Sequence, residues 1–232
     1  MMSRQSPIDI CSENVCYAPD FCKPHTLEID YRKGDCSELM IHSNGWMMKV
    51  KEDSHTVVRA EHLPSEYKLA QFHAHWSKDG SRGSEHLLDG KAMSGEMHFV
   101  FWNTRYGSFD EAVKHGDGLA VIGVFLKESD RTNEAYQPLV DCVQKALATK
   151  GSVSVPSNFD ILSLIPKTEQ RDFCTYLGSL TTPPFAECVV WTVVKNPVEI
   201  SKAQLDVFRQ IIPDNFRACQ ELHGREVKSS SN

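Results

Sequence analysis

Gln71-Phe72-His73-Ala74-His75-Trp76 reads as a β-strand. Side chains alternate faces along a strand, so Gln71, His73 and His75 point one way and Phe72, Ala74 and Trp76 the other. The second set can pack into a core, while the first brings two imidazoles within reach of one metal ion. Taken alone the pair is weak. Ten histidines in 232 residues give roughly 0.4 His-x-His pairs by random placement, and two half-exposed histidines on a strand would look the same. A second segment, Glu96-Met97-His98-Phe99-Val100-Phe101-Trp102, repeats the alternation and sets Glu96, His98 and Val100 on one face. Three neutral imidazoles with an open fourth position are the donor set of a catalytic zinc rather than a structural one. Glu96 suits a carboxylate that accepts the N–H of a ligating imidazole, and Gln71 could serve His73 in the same way through its amide oxygen. The plainer reading of Glu96 is a solvated strand carboxylate.

Outward from these two segments, short alternating or apolar runs recur at 27–31, 46–51, 56–60, 67–76, 119–127 and 188–194. Each is rich in β-branched or aromatic residues and bounded by turn formers. Helices are few. Leu139, Val143, Ala146 and Leu147 form a helical stripe within 134–149. Ser201-Lys202-Ala203-Gln204 is a capping-box pattern that opens a second helix through Ile212, stopped by Pro213. With no repeat, low-complexity linker or composition break, the chain reads as one domain over 1–232. Its class is mainly β (α+β), a sheet with peripheral helices.

A formal net charge of −6 argues against a nucleic-acid partner or a polybasic membrane surface. No run of eighteen apolar residues occurs, and the first residues carry no apolar signal region, so no membrane partner is expected. Of the eight cysteines, Cys11, Cys16, Cys22 and Cys36 crowd the start of the chain, yet none forms a C-x-x-C pair, which leaves zinc-ribbon and thioredoxin readings unsupported. Reduced thiols are the default expectation. A zincin peptidase has no support, since no histidine is followed by glutamate.

Several motifs in order resemble the alpha-class carbonic anhydrases: Gln5-Ser6-Pro7-Ile8-Asp9, the two histidine segments, Gly83-Ser84-Glu85-His86, the run 117–127, Gly178-Ser179-Leu180-Thr181-Thr182-Pro183-Pro184, and Asn215-Phe216-Arg217. The resemblance covers nearly the whole chain. It implies a central twisted, mostly antiparallel sheet with a zinc ion at the bottom of a conical cavity. It also implies reversible hydration of carbon dioxide to bicarbonate by zinc-bound hydroxide, and sensitivity to sulfonamides. His73, His75 and His98 would be the ligands, with the carbonyl of Asn215 as the partner of His75. Thr181 would orient the nucleophile, passing its own hydroxyl proton to Glu85, which accepts only when ionised. Val100, Val121, Leu180, Val189 and Trp191 match an apolar wall for the substrate, with Thr182 as a further polar contact. Each apolar residue is also readable as plain core, Val189 as readily as not, and Thr181 and Glu85 as an ordinary turn hydroxyl and a surface carboxylate.

Three features depart from the family pattern. Fast members carry a proton-relaying histidine on the cavity wall where this chain has Trp46, with Met47 and Met48 beside it. An indole nitrogen only donates, so Trp46 cannot relay a proton and its bulk is expected to displace cavity water. His42, His55 and His62 are candidate substitutes that read more plainly as surface histidines. Only Met1 to Arg4 precede the Gln-Ser-Pro motif, where family members carry a longer segment. Phe185 stands where secreted members have a cysteine, while Cys188 reads as a buried thiol, so a cytoplasmic monomer is expected. A catalytically weak or inactive binding module on the same fold is the alternative.

Overall fold

The computed structural model describes residues 3–231. In chain order the strands are β1 (Asp9–Ile10), β2 (Val15–Tyr17), β3 (Glu28–Asp30), β4 (Cys36–His42), β5 (Gly45–Val50), β6 (Val57–Arg59), β7 (Tyr67–Trp76), β8 (Leu87–Leu88), β9 (Gly95–Asn103), β10 (Leu119–Ser129), β11 (Ser152–Ser154), β12 (Phe173–Gly178), β13 (Val189–Ser201) and β14 (Val227–Ser229). The α-helices are α1 (Phe109–Ala112), α2 (Gln137–Thr149) and α3 (Lys202–Arg209).

One mixed sheet organises the molecule in the order β11-β4-β5-β7-β9-β10-β13-β12-β14-β2, with β3 and β6 branching from β7. Within it the β10–β13 and β14–β2 pairs are parallel and the rest antiparallel. β1 and β8 form a separate parallel pair. The expected strands are all present, 67–76 with the expected bounds and the others with shifted ends: β13 runs on to Ser201, and 56–60 shortens to Val57–Arg59. The second helix begins at the capping box of Ser201 and Gln204, both halves of which are made. It ends at Arg209 rather than Ile212, the following residues closing in turns.

The sheet separates two apolar clusters. On one face Trp46, Met48, Phe72, Ala74, Trp76, Met97 and Phe99 pack with residues of α2 and α3. On the other Val100, Val121, Val189, Trp191 and Val193 form a smaller cluster. Strand alternation decides the sorting. In β7 the count is broken once: Leu69 pairs with Phe101 and Gln71 with Val100, so Ala70 is the extra residue of a β-bulge. The bulge lets Tyr67 and Leu69 face the same core as Phe72, Ala74 and Trp76.

Candidate metal centre

His73 and His98 are directly opposed on β7 and β9, and His75 lies opposite Glu96. Ring centroids are 5.0 Å apart for His73 and His75, 5.4 Å for His73 and His98, and 4.6 Å for His75 and His98. One nitrogen from each ring lies within 4.8 Å of the others.

The opposite nitrogen of each ring is engaged. His73 Nδ1 meets Gln71 Oε1 at 2.8 Å, His75 Nδ1 meets the Asn215 carbonyl at 2.9 Å, and His98 Nε2 meets Glu96 Oε1 at 2.8 Å. All three partners accept only, so each imidazole must donate there. The lone pairs then reside on Nε2 of His73, Nε2 of His75 and Nδ1 of His98. His75 Nε2 is buried with no hydrogen-bond partner among the described residues, a costly state unless a cation takes the lone pair. Burial lowers the pKa of all three rings, and for His73 the neighbouring His75 and His98 add to this by disfavouring its protonated form. The centre therefore offers three neutral nitrogen donors, which fits zinc.

Glu96 is the hub behind the triad. Its Oε2 accepts the backbone N–H groups of Glu85 and His86, and its Oε1 accepts from His86 Nδ1 at 2.7 Å as well as from His98. Burial pushes this carboxyl up, but the neighbouring His86 and His98 and their hydrogen bonds hold it well below the usual range. Gly123 opposes His98 on β10, and a Cβ there would come within 2.8 Å of Glu96 Oε1, so only glycine leaves room for the carboxylate. His86 Nε2 continues to Tyr176 Oη at 2.6 Å, and that hydroxyl donates to Ser6 Oγ at 2.9 Å. The cluster of His86, Glu96 and His98 thus spends its donors internally and is not a second metal site. Sequence reasoning assigned no role to His86, Tyr176 or Ser6, although His86 adjoins Glu85 in a quoted motif.

Glu85, from the loop between β7 and β8, is 1% exposed. Its Oε1 accepts the backbone N–H of Arg217 at 2.7 Å. Burial pushes its pKa up to about 7 against the lowering effects of His98 and the Thr181 hydroxyl. Thr181 acts on this carboxyl from the loop after β12, yet Oε2 has no partner of full hydrogen-bond geometry.

A cavity of about 640 Å³ opens over the triad, bounded by His42, Asn44, Met47, Thr181, Thr182 and Phe216, among others. Val100, Val121, Val189 and Trp191 are buried beside the triad rather than on the open wall, with Trp191 4.9 Å from the His98 ring. Leu180 is partly buried against them.

Trp46 corrects one expectation. It borders the cavity, but its ring is 1% exposed and packs on Phe72 and Phe208 at 6.1 and 5.4 Å. Register explains this: Met47 pairs with His73 and Met48 with Phe72. Met47 and Lys49 therefore share the catalytic face, while Trp46 and Met48 share the core face. The indole does not project among cavity waters. His62 is likewise no surface residue, being 5% exposed, whereas His55 is exposed and His42 lies at the cavity mouth.

A family model described as eukaryotic-type carbonic anhydrase matches residues 1–231. The chain belongs to this family. It is 39% identical to carbonic anhydrase 7 of Homo sapiens and to that of Mus musculus, over 98% of the chain and 88% of each relative. It is 36% identical to carbonic anhydrase 3 of Bos taurus, over 97% of the chain and 89% of that protein. The chain is therefore a carbonic anhydrase, of a zinc-dependent family whose reaction is the hydration of carbon dioxide. No helix among the described residues is long and apolar enough to cross a membrane.

Proposed function

We propose that this carbonic anhydrase holds one zinc ion on His73, His75 and His98 and interconverts carbon dioxide and bicarbonate in the cavity above it. The observation that carries this reading is the set of three outward imidazole nitrogens, each donating to an acceptor, which leaves three lone pairs converging. A zinc ion bound there supplies the acidity that ionises water near neutral pH.

The protein's own groups position the reactants. Arg217 N–H occupies one oxygen of Glu85, leaving Oε2 to receive the Thr181 hydroxyl proton. With its proton so directed, Thr181 Oγ1 turns a lone pair to the cavity and accepts the proton of the attacking oxygen, aiming that oxygen's own lone pair at carbon dioxide. Gln71, Glu96 and Asn215 fix the imidazoles in the tautomers that bind metal. Val100, Val121, Val189 and Trp191, buried beside the triad with Leu180 against them, back the metal site with apolar side chains that keep it dry, and Thr182 gives the cavity a polar edge. Trp46 supplies no relaying imidazole, so proton export limits turnover. The eight free cysteines support a reducing, cytoplasmic setting, and we take the enzyme to act as a monomer.

Stopped-flow hydration on zinc-loaded protein, with increasing imidazole buffer, tests this. Turnover that climbs with buffer is expected. Fast turnover independent of buffer would refute limiting proton export, and no hydration with zinc bound would leave a binding module.

A further inference from the structure

Buried polar atoms without partners gather at two places. Among the described residues His75 Nε2, Glu85 Oε2 and Trp46 Nε1 belong to residues in or beside the catalytic cavity, and Ser54 Oγ stands apart. The other two, Arg4 Nε and His62 Nδ1, belong to residues lining a second cavity of about 530 Å³. It lies over β12, β13 and β14, beyond Tyr176 from the metal centre. An unpaired buried polar atom costs about 1–3 kcal/mol, so two of them on residues of one cavity wall single that wall out.

His62 is the built part of this cavity. Its ring lies against Phe173 at 4.6 Å and Phe21 at 6.4 Å, and its Nε2 is 2.8 Å from Thr192 Oγ1. Burial lowers its pKa to about 4, so the ring is neutral at physiological pH. Phe21 and Leu177, 40% and 47% exposed, are two of the four large apolar side chains exposed on the described surface. Both line this cavity, with Pro64 and Val190. An apolar concavity of this size with a few convergent polar groups has the make-up of a small-molecule site.

Charge narrows the ligand. Arg4, Arg225 and Lys228 line the cavity against Asp117 and Glu226. Both carboxylates are already paired: Asp117 takes Arg105 and the Tyr106 hydroxyl, each at 2.7 Å, and Glu226 faces Lys228 at 3.5 Å. Glu187, nearby, accepts from the Arg4 backbone and the Gln5 amide. Arg225 is fixed by bonds to the carbonyls of Leu222, Leu177, Gln5 and Glu221. It contributes charge, as does Arg4, whose Nη2 donates to the Gly116 carbonyl at 2.8 Å and whose Nε has no partner.

We propose that this second cavity binds a small aromatic carboxylate, its carboxylate on Arg4 and its ring against Phe21, Leu177 and His62. The probe is 4-hydroxybenzoate, titrated into zinc-loaded protein and followed by NMR at the Leu177 methyls and the His62 and His42 rings. His42 reports the catalytic cavity, where the same anion could meet the metal. Saturable shifts at Leu177 and His62 with His42 unmoved are expected. Binding should weaken at least roughly tenfold in Arg4→Ala, in Leu177→Asp at an exposed position, and for the neutral 4-hydroxybenzamide. Shifts confined to His42, affinity unchanged in both variants, or no shift up to about 10 mM would each overturn the proposal. In the last case water alone satisfies His62 and Arg4.

Discussion

Glu96 and His98 stand on the same face of β9, and the carboxylate of Glu96 accepts the His98 Nε2–H at 2.8 Å while also accepting from His86 at 2.7 Å. One carboxylate therefore sets the tautomer of a metal-facing ring and anchors a second histidine that never reaches the metal. Glu96→Ala should weaken zinc binding by about 10–100-fold, the usual cost of losing such a partner. Competition against a chelator of known affinity checks this, and retention of full affinity would mean that packing alone aims the ring.

Thr181→Val and Glu85→Gln should each lower kcat/KM on the order of 10²-fold while leaving bound zinc stoichiometric, because they misalign the nucleophile without touching a ligand. Metal analysis and stopped-flow kinetics on the same samples separate this outcome from loss of zinc.

Met47, not Trp46, shares a face with His73. Met47→His should therefore raise turnover at low buffer by roughly tenfold, a modest share of what a positioned proton-transfer group supplies, with kcat/KM little changed. Trp46→His should give no such gain and should cost about 3 kcal/mol or more of stability by emptying the core. Kinetics at low and high buffer, with a denaturation curve for each variant, decide between the two positions.

His62 makes a pH prediction. Its folded pKa is depressed to about 4 from an ordinary 6.5, so between those values the unfolded chain binds more protons. The stability from keeping the ring neutral is whole above about pH 6.5 and drains away as pH falls to about 4, at up to about 1.4 kcal/mol per pH unit. His62→Phe should flatten this part of the curve. Denaturation of parent and variant from pH 7 to 4 measures the difference, in which the other histidines cancel.

The parts of the site that follow strand parity were legible in the sequence. His73, His75, His98, Gln71 and Glu96 are placed by counting along two strands. Thr181, Glu85 and Asn215 come from loops, and no periodicity brings them to the metal; only family resemblance pointed to them. Trp46 was misplaced because a motif position was read without the register that assigns its face. His86 and His62 were undervalued because burial of a histidine depends on distant partners, Tyr176 for one and Thr192 for the other, and sequence adjacency carries no trace of either.

The extra residue at Ala70 gives β7 two halves of opposite parity. Ahead of it, odd-numbered residues such as Tyr67 and Leu69 are inside; after it, odd-numbered residues carry the imidazoles. Removing Ala70 would join Leu69 directly to Gln71, opposite the consecutive Phe101 and Val100, so the strand would become regular with every remaining side chain on its present face. A single deletion at this small, chemically silent residue should thus be milder than replacing any one ligand, and laboratory evolution of this enzyme should accept the loss of position 70 sooner than the loss of a residue inside β9, where no extra residue absorbs the change of parity.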